Sequence, residues 1–124
     1  IDTFDAVVME CVFSLCRPWQ TVSELARVLR PGGWAVIADL YSGTENVTLS
    51  ASRMVKHLYV PETLELFFRG RMRLEKYQDY TSRLRSMFFQ MMMDRTACGC
   101  VADSDLLVMK TAKAGYGVWL WKKI

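Results

Sequence analysis

Four side chains capable of hydrogen bonding or proton transfer follow two apolar runs of this 124-residue chain. Glu10 and Cys11 come after the first run, and Asp39 and Tyr41 come at the end of the second. A carboxylate or a phenol can exchange hydrogen bonds with a polar ligand, and a carboxylate with a raised pKa can transfer a proton. The alternative is that these residues only end strands and face water. The sequence leaves both interpretations open.

A strand–helix–strand unit is predicted to bring these four side chains together. Residues 4–9 and 34–39 are nearly continuous in apolar residues, a pattern typical of strands buried on both faces of a parallel sheet. Between them, apolar side chains recur at helical spacing, at Trp19, Val22, Leu25, Ala26 and Leu29. Such a unit is right-handed in nearly all proteins. Ligands of open α/β sheets bind beyond the carboxyl ends of the strands, so we expect the four side chains at one edge.

Both ends of the helix carry sequence signals. Thr21 and Glu24 have the spacing of a capping box, which predicts the start of the helix. Pro31 pushes Arg30 out of helical geometry, and Gly32 or Gly33 can supply a left-handed turn. The helix is therefore predicted to end before a sharp turn into the second strand.

The rest of the chain is predicted to complete one small α/β domain. The predicted elements are a short helix around 50–58, a helix over 61–68, a strand over 71–80, helices over 82–94 and 103–114, and a strand over 116–121. Gly115 is predicted to cap the helix that precedes it. The methionines of 82–94 are expected in the core, because Met fills irregular gaps.

The cysteine pattern favours a reducing compartment and leaves one thiol pair open to interpretation. Four scattered cysteines do not form the framework of a secreted disulfide-rich protein, so we expect a cytoplasmic location. Cys98 and Cys100 could hold a soft metal or metalloid, or form a redox pair. Inert loop cysteines are the alternative, and no metal site is predicted because zinc sites need four ligands.

Composition excludes two classes of partner. The formal net charge of +3, without a dense basic run, does not indicate nucleic-acid binding. The apolar runs are too short to span a membrane. With 52% hydrophobic residues, the chain has enough apolar content for one core.

Residues 25–39 carry a family resemblance. The stretch ends a helix, turns at Leu29-Arg30-Pro31-Gly32-Gly33 and continues into an apolar strand. It resembles the helix, turn and strand that follow the cofactor half of class I S-adenosylmethionine (SAM)-dependent methyltransferases. The resemblance implies the C-terminal part of a Rossmann-like sheet, with parallel strands and an antiparallel last strand. It also implies methyl transfer from SAM to a small-molecule substrate.

The same resemblance implies roles for individual residues. Residues 5–15 are similar to a methyltransferase strand and its following loop, beside the methionine end of SAM. By this match Glu10, Cys11 and Val12 would bind the cofactor. Phe13, Asp39 and Tyr41 would contact the substrate, together with the segment 42–68.

The family's glycine-rich loop and its acidic ribose-binding residue have no counterpart here. We therefore expect residues 1–124 to be one domain equivalent to the C-terminal half of a methyltransferase, inactive when isolated. An uncovered sheet edge would favour a homodimer. Two alternatives remain: a truncated, non-catalytic interaction module, and a thiol-based metal or metalloid binder that uses Cys98 and Cys100.

Overall fold

The computed structural model describes residues 3–51, 55–83 and 103–124. In chain order its elements are β1 (Phe4–Glu10), a 3₁₀ turn (Phe13–Leu15), α1 (Pro18–Val28), β2 (Leu29–Tyr41), β3 (Val47–Leu49), β4 (Lys56–Leu58), α2 (Pro61–Phe68), β5 (Met72–Asp79), α3 (Asp103–Thr111) and β6 (Gly115–Lys123). Four of the strands form one mixed sheet in the order β1-β2-β6-β5, and β3 pairs with β4.

The central sheet has the predicted strand directions. β1 pairs with β2 in parallel, and β6 pairs with β2 in antiparallel orientation from Trp34–Lys122 to Tyr41–Gly115. β5 adds to the other side of β6, also antiparallel. The prediction of a mixed α/β sheet, with parallel first strands and an antiparallel last strand, is confirmed.

Helix α1 begins earlier than its predicted capping box. Pro18 occupies the first turn, where its missing N–H costs no hydrogen bond, and Arg17 precedes it without a side-chain cap. The amide of Thr21 donates to the carbonyl of Arg17, so Thr21 already lies inside the helix. Glu24 instead accepts hydrogen bonds from Arg27, at 2.8 and 2.9 Å. The capping-box prediction is wrong because the helix begins at Pro18 with Arg17 as its N-cap, four residues before the predicted cap Thr21.

The Pro-Gly-Gly segment interrupts the pairing of β1 with β2. Leu29 pairs with Phe4 and Trp34 pairs with Ala6, so β2 uses more residues than β1 between these two pairs. Gly32 has φ +79°, as predicted for one of the two glycines, but the segment lies inside β2 and not in a turn between helix and strand. A Cβ on Gly33 would lie 2.8 Å from the Arg30 carbonyl oxygen and 3.0 Å from that of Asp5. The second glycine therefore permits a close backbone approach.

The described part of 50–58 is not helical, contrary to the prediction. Val47–Leu49 and Lys56–Leu58 form a short antiparallel ladder in which Thr48 faces His57. The ladder buries Leu49 and Leu58. Pairing between two separate segments therefore overrides the local helical pattern.

Strand β1 is the least buried strand of the central sheet, contrary to the prediction that both its faces are covered. Val7 and Met9 pack against the core, whereas Phe4 and Val8 are 52% and 68% exposed. The reason is its place at the edge of the described sheet, where β2 is its one paired neighbour. An apolar run in the sequence indicates that its residues favour burial, but it does not indicate which element covers them.

The core lies on one face of the sheet, against α1, α2 and the 3₁₀ turn. Alternate residues of β2 and β6 point into it, among them Ile37, Trp119 and Trp121. Phe68 of α2 stacks on Trp121 with 4.2 Å between ring centroids, and Phe13 stacks on Phe68 at 5.7 Å. This aromatic packing anchors the loop that follows β1.

Helix α3 ends at Thr111, and the residue that caps it in the left-handed conformation is Lys113, not the predicted Gly115. Lys113 adopts φ 52°, and the amides of Lys113 and Ala114 donate to the carbonyls of Lys110 and Met109. These two bonds define a Schellman motif with lysine at the left-handed position. Gly115 instead begins β6.

Two predicted features lie outside the described residues. Residues 81–83 are helical, but the rest of the predicted helix over 82–94 lies outside them, as do Cys98 and Cys100. Within the described ranges, no helix is both long and apolar enough to cross a lipid bilayer.

Candidate active site

The predicted cofactor-binding residues lie together at the carboxyl end of β1. Glu10, Cys11 and Val12 are all exposed. The Cys11 amide donates to the Ala38 carbonyl at 2.8 Å, which continues the pairing with β2 past the end of β1. Cys11 adopts φ 55°, a conformation that non-glycine residues rarely take. Backbone strain of this kind clusters at ligand sites, so the loop offers a defined, accessible surface.

A phenol from β6 accompanies the Cys11 thiol. The Tyr116 hydroxyl lies 3.7 Å from Cys11 Sγ. Burial raises the pKa of the Tyr116 phenol, and the neighbouring thiol and the carboxylates of Glu10 and Asp39 raise it further. Tyr116 is therefore a neutral hydrogen-bond donor at physiological pH.

Asp39 is buried, and its carboxylate binds backbone amides. It is 4% exposed; Oδ2 accepts from the Ser14 amide at 2.8 Å and Oδ1 accepts from the Leu40 amide at 2.7 Å. Burial raises the pKa of Asp39, opposed by these two amides and by the charge of Lys56. Asp39 therefore fixes the 3₁₀ turn to the end of β2.

Tyr41 belongs to a second hydrogen-bonded group. Its hydroxyl donates to Asp79 Oδ2, and the amide and hydroxyl of Thr81 donate to Asp79 Oδ1. Burial opposes ionisation of Asp79, but the hydrogen bonds from Thr81 and Tyr41 lower its pKa overall. A Cβ on Gly115 would lie 2.5 Å from Tyr41 Cζ, so Gly115 makes room for this ring.

A small pocket lies beneath the loop that follows β1. Its cavity volume is about 10 Å³, enough for one water molecule, and it is partly open to solvent. Its polar lining residues are Ser14, Asp39, His57 and Tyr59, and its apolar ones are Phe13, Ile37, Leu40, Leu64 and Trp119. Two predicted substrate residues, Phe13 and Asp39, therefore line one cavity.

Ser14 has the one buried side-chain oxygen without a hydrogen-bond partner among the described residues. The residue is 2% exposed. Its hydroxyl is near enough to Asp39 to favour the charged carboxylate, but outside hydrogen-bonding geometry. An unsatisfied buried hydroxyl is uncommon and calls for an explanation.

The segment 42–68 was expected to contact the substrate, but its sequence singled out neither His57 nor Tyr59, which line the pocket. His57 and Tyr59 come from β4 and its exit, where a helix was predicted. Thr48 Oγ1 lies 3.2 Å from His57 Nδ1, and the His57 ring stacks on Tyr59 at 6.3 Å. Burial raises the pKa of Tyr59. A carboxylate at the carboxyl end of a predicted strand, here Asp79 at the end of β5, is the signal that could have indicated Tyr41's partner.

The six predicted site residues therefore fall into three places. The exposed loop holds Glu10, Cys11 and Val12, the pocket holds Phe13 and Asp39, and Tyr41 lies beside Trp119 with its ring edge-on at 5.9 Å. Trp119 also lines the pocket, so Tyr41 adjoins it without entering it. In the described part of the chain, no three His, Cys, Asp or Glu residues group as metal ligands would.

Comparisons with known proteins connect this geometry with one fold. A family profile described as a methyltransferase domain matches residues 2–37, which include β1, α1 and most of β2. No curated protein matches the chain.

Solved structures similar to this chain include several methyltransferases and one cyclase. The [4+2]-cyclase SpnF has a TM-score of 0.64 and 20% identity over 98% of this chain and 51% of its own. The phosphoethanolamine N-methyltransferase 2 of Haemonchus contortus, in complex with SAM, has a TM-score of 0.64 and 18% identity over 97% and 33%. The 1,6-didemethyltoxoflavin-N1-methyltransferase of Burkholderia thailandensis, with bound 1,6-didemethyltoxoflavin and S-adenosylhomocysteine, has a TM-score of 0.61 and 16% identity over 98% and 44%.

The chain therefore spans between a third and about half the length of these proteins. At such low identity the structural likeness establishes the fold and not the reaction, and the cyclase illustrates that limit. Taken with the domain match over β1, α1 and β2, the comparisons show that this chain has the fold of the class I, SAM-dependent methyltransferases.

Proposed function

We propose that this chain is the C-terminal half of an enzyme that transfers a methyl group from SAM to a small-molecule acceptor. The observation that carries the proposal is the parallel β1–α1–β2 unit. It lies in the segment that matches a methyltransferase domain, and it places Glu10, Cys11 and Asp39 at one sheet edge.

The exposed loop after β1 is our candidate for the cofactor contact. SAM, when bound, supplies a methyl group on a positively charged sulfur. The chemistry of Glu10 and Cys11 fits such a group, because a carboxylate and a polarisable thiol both favour a nearby cation. Val12, which is 43% exposed, adds apolar surface beside them. These residues form one wall of a site, and their part is to bind and orient the methionine end of the cofactor.

The acceptor would lie between this loop and the pocket beneath it. Phe13, Asp39 and Tyr41 are the residues that we assign to substrate binding. The similar structures are of enzymes named for small molecules, phosphoethanolamine and didemethyltoxoflavin. We place the reaction in the cytoplasm, where thiols such as Cys11 and Cys16 stay reduced.

The isolated 124 residues should not bind SAM. Binding must offset roughly 4–15 kcal/mol of lost translational and rotational freedom. Neither a glycine-rich loop after a first strand nor an acidic ribose contact occurs in this sequence. Both features would have to come from the part of the fold that the similar structures contain outside the region matched by this chain.

A second candidate function is a non-catalytic interaction module, and the exposed edge of β1 favours it. Phe4 and Val8 leave apolar surface uncovered there, and an unpaired strand edge is a template for another strand. A second copy of the chain is the occupant that we propose, as a homodimer. Sedimentation would show a dimer whose fraction grows with concentration, whereas a monomer at all concentrations would exclude this edge pairing.

Glu10 offers the sharpest test of the cofactor assignment. In the complete polypeptide encoded by the reading frame, Glu10→Ala should weaken SAM binding roughly tenfold, because a charge-assisted contact is lost. Glu24→Ala is the matched control, since Glu24 is exposed on α1 and pairs with Arg27. Equal SAM affinity in the two variants would remove Glu10 from the site.

A further inference from the structure

Tyr116 brings a phenol from β6 to the exposed loop that follows β1. Glu10 and Tyr116 pair with β2 at positions 38 and 40. Positions two apart share a face of a sheet, so the two side chains lie on the same face. Among the described residues, the hydrogen-bond partner of the phenol is Cys11 Sγ, at 3.7 Å. A thiol is a weak partner, so the phenol has hydrogen-bonding capacity left for a ligand.

The backbone of Tyr116 is fixed on both sides by the residues at the end of β5. Its amide donates to Thr81 Oγ1 at 3.0 Å, and its carbonyl accepts from the Tyr80 amide at 2.8 Å. The Thr81 hydroxyl donates its own proton to Asp79 Oδ1, which leaves a lone pair for the Tyr116 amide. These bonds hold the phenol in a defined position beside the loop, as a ligand contact requires.

The charges around the loop determine which ligand group the phenol can bind. The Glu10 carboxylate attracts a cation and repels an anion. Tyr116 is a neutral donor, because burial and the neighbouring thiol raise the pKa of its phenol. Glu10 and Tyr116 therefore form an acceptor and a donor on one face of the sheet. The ammonium and carboxylate of an α-amino acid need such a pair.

We propose that Tyr116 donates its phenol proton to the carboxylate at the methionine end of SAM, and that Thr81 positions Tyr116 for this contact. The proposal rests on the proposed function, because it takes SAM to be the ligand of the exposed loop. It adds a contact from β6, which lies across β2 from that loop. It also gives the hydrogen bonds between Asp79 and Thr81 a role in binding.

Decarboxylated SAM isolates the proposed contact, since it lacks the carboxylate and keeps both the amine and the sulfonium. Titration calorimetry on the complete polypeptide measures the dissociation constants of both ligands. Tyr116→Phe should weaken SAM binding roughly tenfold, the effect of one hydrogen bond to a charged group. Its affinity for decarboxylated SAM should not change. Tyr80→Phe is the matched control and should change neither affinity, because the Tyr80 ring lies against Arg83.

Thr81→Val and Thr81→Ser test the positioning role. Valine keeps the shape of threonine but cannot accept from the Tyr116 amide. The preference for SAM over decarboxylated SAM should therefore fall about threefold, less than in Tyr116→Phe, because the phenol is displaced and not removed. Serine keeps the hydroxyl and should keep the preference. A merely structural role would change both affinities together and leave their ratio unaltered.

Two results would overturn the proposed contact: unchanged SAM affinity in Tyr116→Phe, or an equal loss of affinity for SAM and decarboxylated SAM. In both cases, SAM binding by the unchanged polypeptide would leave the proposed function standing. An unchanged preference in Thr81→Val would overturn the positioning role. If Tyr116→Phe does not fold, the comparison of Thr81→Val with Thr81→Ser decides the proposal. Absence of SAM binding by the unchanged polypeptide would contradict the proposed function and this contact together.

Discussion

Asp39 shows how one carboxylate can support both fold and site. Its oxygens bind the amides of Ser14 and Leu40, which fixes the loop after β1 against the end of β2. The same oxygens line the pocket. A residue predicted to contact substrate therefore also holds the 3₁₀ turn in place.

The raised pKa of Asp39 predicts a measurable pH effect on stability. The native protein binds this proton more tightly than the unfolded chain, whose ordinary value is near 3.8. The contribution of Asp39 is therefore most favourable below pH 3.8 and is lost as the pH rises through the native pKa. Asp39→Asn should abolish this pH-dependent contribution. The Asn side chain has one acceptor oxygen, so it also loses one of the two hydrogen bonds from the backbone amides.

The check is the free energy of unfolding in urea between pH 3.5 and 7 for both proteins. As the pH rises, the free energy of unfolding of the original protein should fall relative to that of Asp39→Asn. Taking the difference removes groups common to both, including Asp79, whose lowered pKa acts in the opposite direction. A difference independent of pH would mean that the pKa of Asp39 is not raised.

At the scale of elements, the end of α3 carries an avoidable strain. Lys113 occupies the left-handed position of a Schellman motif at φ 52°, where glycine is favoured. Lys113→Gly should raise the free energy of unfolding by about 1 kcal/mol, since the relief of backbone strain exceeds the added chain entropy of glycine.

Lys110→Gly is the control for this prediction, because it places glycine inside the last turn of the same helix. It should lower stability by about 1 kcal/mol. Urea unfolding of the two variants measures both effects. A loss of stability in Lys113→Gly would contradict the assigned helix end.

Elements with strong local signals were predictable, and elements defined by distant pairing were not. Proline at position 61 and an apolar pattern predict α2 to the residue. The β3–β4 ladder depends on pairing between two separate segments of the chain. The pattern around 50–58 is local, and taken alone it indicated a helix. Gly115 was predicted to cap a helix. Glycine is required at this position for another reason, because the Tyr41 ring packs where a Cβ would lie.

The candidate site was predictable only in part, for the same physical reason. Residues at the carboxyl ends of β1 and β2 were identified, because strand ends fix their position. Ser14 was part of the recognised segment, but nothing in a sequence shows that its hydroxyl is unpaired. His57 and Tyr59 reach the pocket through a strand that was not predicted.

At the scale of the whole molecule, the exposed face of β1 and the exposed loop after it lie together. Phe4 and Val8 are uncovered on the strand, and Glu10, Cys11 and Val12 are uncovered at its end. We propose that the rest of the fold covers Phe4 and Val8. It would also complete a SAM site around Glu10, Cys11 and Val12.

Titration calorimetry with SAM tests this central claim most directly, on the complete polypeptide and on the 124 residues alone. We expect micromolar binding by the complete polypeptide and none by the 124 residues, because the latter supply one wall of the site. Absence of SAM binding by the complete polypeptide would contradict the proposed function. Micromolar binding by the 124 residues as a monomer would contradict the assignment of the cofactor site to two halves.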